Sequence, residues 1–165
     1  MSEPDHNTSV GVTGIAALLL FIALAIYLLP LQPNIVALQF AFNADAFRAI
    51  LEQWQPEGVA LFRSHLPVDA VLLVAYGVFG YLFTNRTEVF ARYTPVWRMR
   101  ISVFMPVAAV ADAVEDVLHW YLTSGGYVSY FKVLVPVATA YSSLKFAGIA
   151  MFGVAVLHAV LTSRR

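Results

Sequence analysis

The stretch from Val110 to Leu122, VADAVEDVLHWYL, sets Asp112, Glu115, Asp116 and His119 into an otherwise apolar run. A carboxylate at the middle of a membrane helix costs roughly 2.5 to 3.5 kcal/mol on insertion scales, so a group of them demands partners or water. At helical periodicity the four positions fall within an arc of roughly 100°, together with Met105 and Ala108. They therefore form one stripe, and that stripe is expected to face inward. Lys145 is the natural counter-ion for one of the acids, since each would otherwise be unpaired in a low dielectric. The acids outnumber this lysine, and clustered carboxylates repel one another. At least one of them is then expected to hold a proton at neutral pH, which makes Asp112 and Glu115 candidates for acid/base chemistry.

Other chemistries find less support. The Asp116/His119 pair at i, i+3 and the Glu115/His119 pair at i, i+4 have the spacing of two metal ligands on one helix face. No second motif of this kind occurs to complete a di-metal centre, and no metal is predicted. Haem is not expected either, because His158 and His119 lie near opposite ends of their segments and His65 is placed at or outside the membrane edge. Without cysteine there is no thiolate nucleophile, disulfide or thiolate-bound cluster. Phosphate-binding loops, nucleophile elbows and zinc-protease motifs do not occur, and no cofactor is expected.

The elements that must carry these residues are membrane helices. Hydrophobic residues make up 60% of the 165 positions and charged residues 12%, against roughly a quarter charged in soluble domains. Ten basic and ten acidic residues cancel, so there is no overall positive field to gather nucleic acid. Apolar runs predict spans at about 10–29, 66–83, 101–122 and 140–161, each able to cross about 30 Å of hydrocarbon. The expected fold class is all-α: a polytopic, single-domain, four-transmembrane-helix bundle. The first run follows an acidic and polar head, Met1 to Ser9, without lysine or arginine, which is wrong for a cleaved signal peptide, so it is read as a retained helix. Pro136 favours a short surface segment followed by a helix from about Ala140.

Arg86, Arg92, Arg98 and Arg100 lie between the second and third runs, and Arg164 and Arg165 follow the fourth. The positive-inside rule puts these on the cytoplasmic side of a cell inner (plasma) membrane, with both termini cytoplasmic and Arg48, Arg63 and Lys132 opposite. The long connection from Pro30 to His65 is expected to have structure of its own. Asn43 can cap a helix in which Phe47, Ile50, Leu51 and Trp54 form an apolar stripe, with Asp45, Arg48 and Glu52 largely off it. That amphipathic helix is expected on the outer membrane surface or capping the bundle mouth, an ordinary loop helix packed on the protein being the equal alternative, with Pro56 and Gly58 breaking it from the next span. Gly77 and Gly80, or Ala155 and Ala159, would let helices approach closely. Trp97, Trp120, Tyr121 and Tyr127 lie near the predicted interfaces.

Helical rise allows depths to be compared. Glu115 lies about 21 Å from its cytoplasmic end, Asp69 about 21 Å, Lys145 about 24 Å and Tyr27 about 25 Å. Asp69, Asp112, Glu115, Asp116, His119, Lys145 and Tyr27 are therefore the candidate polar site, with every helix contributing to one level in the outer half of the membrane.

The assembled pieces resemble a group of small, functionally uncharacterised bacterial membrane proteins of four helices. The matching segments are LQFAFNADAF at 38 to 47, Asp69 with Tyr76, Asp112-Ala-Val-Glu115-Asp116, and SSLKF at 142 to 146. The group has asparagine where this chain has Asp116, a substitution that adds a charge. A looser, architectural similarity is to the four-helix sterol-isomerase and sigma-2-like fold, which uses intramembrane acids to meet cationic or sterol-like ligands. This chain lacks an acid in its first helix, where that fold has one. The leading functional expectation is an apolar pocket around Asp69, Asp112, Glu115 and Lys145 for a lipid-like or amphipathic small molecule, with acid/base isomerisation or cyclisation of a lipid as an extension. The alternatives are an accessory subunit docking its acidic helix on a larger membrane complex, and a proton- or ion-coupled carrier. Lipid bilayer, a membrane-protein partner or a second copy are the compatible partners.

Overall fold

The computed structural model describes residues 6–125 and 130–163; most of the acidic head, Tyr127, Arg164 and Arg165 lie outside them. The described chain is helical, with no strand. α1 spans His6–Tyr27, α2 Ile35–Gln39, α3 Ala44–Arg86, α4 Pro95–Ser102, α5 Phe104–Leu122 and α6 Phe131–Ser163, with a single 3-10 turn at Glu88–Phe90 before α4. Three stretches, Thr8–Tyr27, Ala44–Arg86 and Phe131–Thr162, are long and apolar enough to cross a membrane. α5 has 19 residues and packs between α3 and α6, but its three acids keep it out of that class by composition.

α3 is two helices in sequence. Asn43 is extended and its side-chain carbonyl accepts from the Ala46 amide at 2.8 Å, satisfying one of the donors left open at a helix start. The first helix, 44–54, buries Phe47, Ile50 and Trp54 and leaves Asp45 and Glu52 exposed, as the spacing predicts. It stops at Gln55, whose backbone (φ 55, ψ 174) lies in a region costly for any side-chain-bearing residue. The chain restarts at Pro56, where a missing amide hydrogen is no loss at a helix start, and runs through 56–86. Trp54 ties the break down by donating its indole N–H to the Pro33 carbonyl at 2.6 Å.

Contrary to the expected start near Ala140, α6 is already helical at Phe131. Phe131, Val135 and Ala138 bury one face at helical spacing, and Phe131 meets Phe47 edge-on at 5.7 Å. Pro136 is exposed in the second turn, so the carbonyl it frees faces outward and the helix continues through it. Lys145 thus lies well inside α6.

Small residues set how closely the helices approach. A Cβ at Gly80 would be 2.3 Å from Met105 Cβ, one at Gly77 3.0 Å from Ala109 Cβ, and one at Gly148 3.1 Å from Ala108 Cβ. These contacts fix two antiparallel registers, α3 on α5 and α5 on α6. α1 packs on α3, with Gly14 against the Phe79 ring, and makes no comparable interface with α5 or α6. Apolar clusters form at the two ends, Phe47, Trp54, Phe62, Leu122 and Phe131 at one and Phe90, Ile101, Met105 and Phe152 at the other, with a third, Ala17, Leu24 and Leu72, between α1 and α3.

Candidate functional site

Between the two end clusters lies a polar layer, and its positions follow from the two registers. On the α5–α6 seam, moving one turn from Ala108 and Gly148 brings Asp112 opposite Lys145. The Lys145 Nζ donates to Asp112 Oδ1 at 2.8 Å and is 2.7 Å from Glu115 Oε2, the latter an ion contact without hydrogen-bond alignment. On the α3–α5 seam, Tyr76 beside Gly77 donates its hydroxyl to Asp112 Oδ2 at 3.1 Å. Two turns further along α3, Asp69 comes to Asp116. One carboxylate oxygen from each of Asp69, Asp112 and Asp116 lies within 4.8 Å of the others. The structure thus brings Asp69, Asp112, Glu115, Asp116 and Lys145 together from α3, α5 and α6.

Burial divides the layer into two halves. Glu115 is fully buried, and Asp112 and Lys145 are nearly so. Asp69 and Asp116 are half-buried. In the closed half one lysine touches two acids and compensates one of their charges. The open half holds two carboxyl groups with no basic partner among the described residues. Two carboxylates this close cannot both ionise without a large repulsion, so the open half calls for a shared proton or a cation. The three aspartate oxygens are also of the hard type that a divalent cation takes.

His119 is buried, with Phe47 stacked on it at 5.9 Å and Phe62 edge-on at 5.9 Å. The helix 44–54 covers that end of α5, which a count along α5 alone cannot register. Nδ1 of His119 faces Glu115 Oε1 at 3.6 Å, so the i, i+4 spacing is the one used. His65 is also buried. Its ring contacts the Phe62 carbonyl and the Phe62 ring, one turn from Asp69 on the same helix.

Tyr27 does not join the site. Its hydroxyl pairs with Ser64 Oγ at 2.8 Å on the exposed side of α3. α1 packs mainly on α3, and Tyr27 meets the side of α3 that carries Ser64, away from the acids. Tyr76 and His65 take that place and were not singled out as site residues. The signal that could have found them is the spacing on α3: 62, 65, 69, 72 and 76 lie on one face.

A cleft of about 460 Å³ lies apart from the cluster, lined by Val117, Leu118, Trp120, Tyr121, Tyr130 and Leu134, and none of the cluster's charged groups borders it. No protein-family model, curated protein or solved structure matches this chain.

Proposed function

We propose that this chain is a four-helix transmembrane bundle of the cell inner membrane. In this reading α1, 56–86, α5 and α6 cross the bilayer, 44–54 lies on the outer face, and both termini are cytoplasmic. Its acid–lysine layer binds the polar head of an amphipathic, lipid-like small molecule. One observation carries the reading: Lys145 is committed to Asp112 and Glu115, which leaves Asp69 and Asp116 half-buried, adjacent and without a basic partner among the described residues. A positively charged or proton-donating head completes that set, and the apolar flanks of α3 and α5, where Val68, Val71, Ala113 and Val117 are exposed, suit its tail.

The accessory-subunit alternative asks for an outward-facing charged stripe and an unpaired Lys145. Two contacts below 3 Å on a lysine that is 5% exposed argue the other way. The test is to purify the protein in mild detergent and identify co-purifying lipids by mass spectrometry. Wild type is compared with Asp69→Asn, Asp116→Asn, Asp112→Asn and Glu115→Gln. Selective loss of one amphiphile from the Asp69 and Asp116 variants is expected; equal lipid content in every sample would sink the pocket reading.

A further inference from the structure

Four arginines, Arg86, Arg92, Arg98 and Arg100, stand against one acid, Glu88, between residues 84 and 103. Three of them have internal work. Arg86 donates to Ser9 Oγ at 2.7 Å, tying the start of α1 to the end of α3. Arg92 donates to the Thr162 carbonyl at 2.6 Å. Arg98 donates to the carbonyls of Thr84 at 3.0 Å and Asn85 at 2.5 Å. The last two therefore cap the carbonyl ends of α6 and α3, where a cation also meets the negative end of the helix dipole.

Arg100 has no such role. It makes no hydrogen bond or ion pair among the described residues, and its guanidinium sits 5.1 Å from the centre of the Trp97 ring. Both side chains belong to α4, which turns its buried Ile101 and Ser102 inward and presents Val96, Met99 and Val103 outward with Trp97. Met99 is 64% and Trp97 54% exposed, a costly display for water but an ordinary one at a bilayer interface. The outward face is thus apolar along its length, with the Arg100 guanidinium, which has no hydrogen bond or ion pair among the described residues, held at its edge by the Trp97 ring.

We propose that α4 is an interfacial helix that binds an anionic phospholipid. The Arg100 guanidinium takes the headgroup phosphate, and Val96, Met99 and Val103 take the upper part of an acyl chain. Charge complementarity selects the occupant: the connection carries a surplus of positive charge, and the cation not used by the fold lies beside the apolar face. The proposal rests on the transmembrane reading above, because the lipid must be within reach of this end of the helices.

Reconstitution into phosphatidylcholine vesicles with trace spin-labelled phosphatidylglycerol or phosphatidylcholine tests it by electron paramagnetic resonance. Wild type is expected to restrict the labelled phosphatidylglycerol over phosphatidylcholine by roughly five-fold, falling with added salt. Arg100→Gln and Trp97→Ala should bring the ratio close to one, with helicity and melting unchanged. Arg63→Gln, at the opposite end of the molecule, should leave it intact. An unchanged ratio in Arg100→Gln, or an equal loss in Arg63→Gln, would overturn the assignment to α4. No restricted component from either lipid would instead remove the transmembrane reading on which it stands.

Discussion

Replacing Lys145 by methionine removes the charge and keeps most of the side-chain volume. In the wild type the ammonium lies 2.8 Å from Asp112 and 2.7 Å from Glu115, and all three groups are buried. Taking away one partner of a buried ion pair costs about 3 to 5 kcal/mol, because the remaining charge is left without compensation. Here two carboxylates lose the same cation, so the upper part of that range applies, roughly a thousandfold in the folding equilibrium. Protonation of the stranded acids limits the loss at low pH. The triple variant Lys145→Met, Asp112→Asn, Glu115→Gln should recover most of it, since a neutral set needs no counter-ion, and the three changes are then strongly non-additive. The assay is reversible unfolding in mixed micelles by sodium dodecyl sulfate titration, followed by far-ultraviolet circular dichroism. A single-variant loss below about 1 kcal/mol would refute the reasoning, as would a triple variant no more stable than Lys145→Met alone.

Three further outcomes follow from the packing. Gly80→Ala should destabilise by about 1 to 3 kcal/mol in the same titration, because the new methyl meets Met105 Cβ at 2.3 Å, whereas Gly153→Ala, with nothing within 4 Å, should be neutral or stabilising. Gln55→Gly should raise the stability of the outer helix by about 1 kcal/mol, read as slower proteolysis between 44 and 56, because glycine accepts the backbone angles that glutamine resists. Tyr27→Phe removes the bond to Ser64 and should leave the lipids that co-purify unchanged; a loss matching that of Asp69→Asn would return Tyr27 to the site.

What was legible in the sequence was height. Helical rise is fixed, so Asp69, Glu115 and Lys145 could be placed at one level by counting, and the stripe on α5 put Asp112 on the same face as Glu115. Azimuth between helices was not legible. Tyr27 has the right height on a helix that packs mainly on α3, and no pattern within α1 says which neighbour it will meet. His65 was lost for a different reason: the apolar run was cut at Leu66, although the helix carries on through it from Pro56. Pro136 outweighed the spacing of Phe131, Val135 and Ala138, yet burying that face against Phe47 is worth more than the one hydrogen bond a proline forfeits. The cover over His119 came from a helix that was itself foreseen, from Asn43 to Trp54, but whose seat on α5 depends on the turn at Gln55.

The order of charges along the chain has a consequence for biosynthesis. Asp69, Asp112, Glu115 and Asp116 all precede Lys145, and the lysine reaches Asp112 and Glu115 only once α6 has docked on α5. During translation the acids of α3 and α5 therefore leave the ribosome before their counter-ion exists. On the transmembrane reading proposed above, they meet the bilayer without it or wait at the insertion machinery in contact with water. A nascent chain stalled before α6 then carries acids that the finished chain pairs with Lys145.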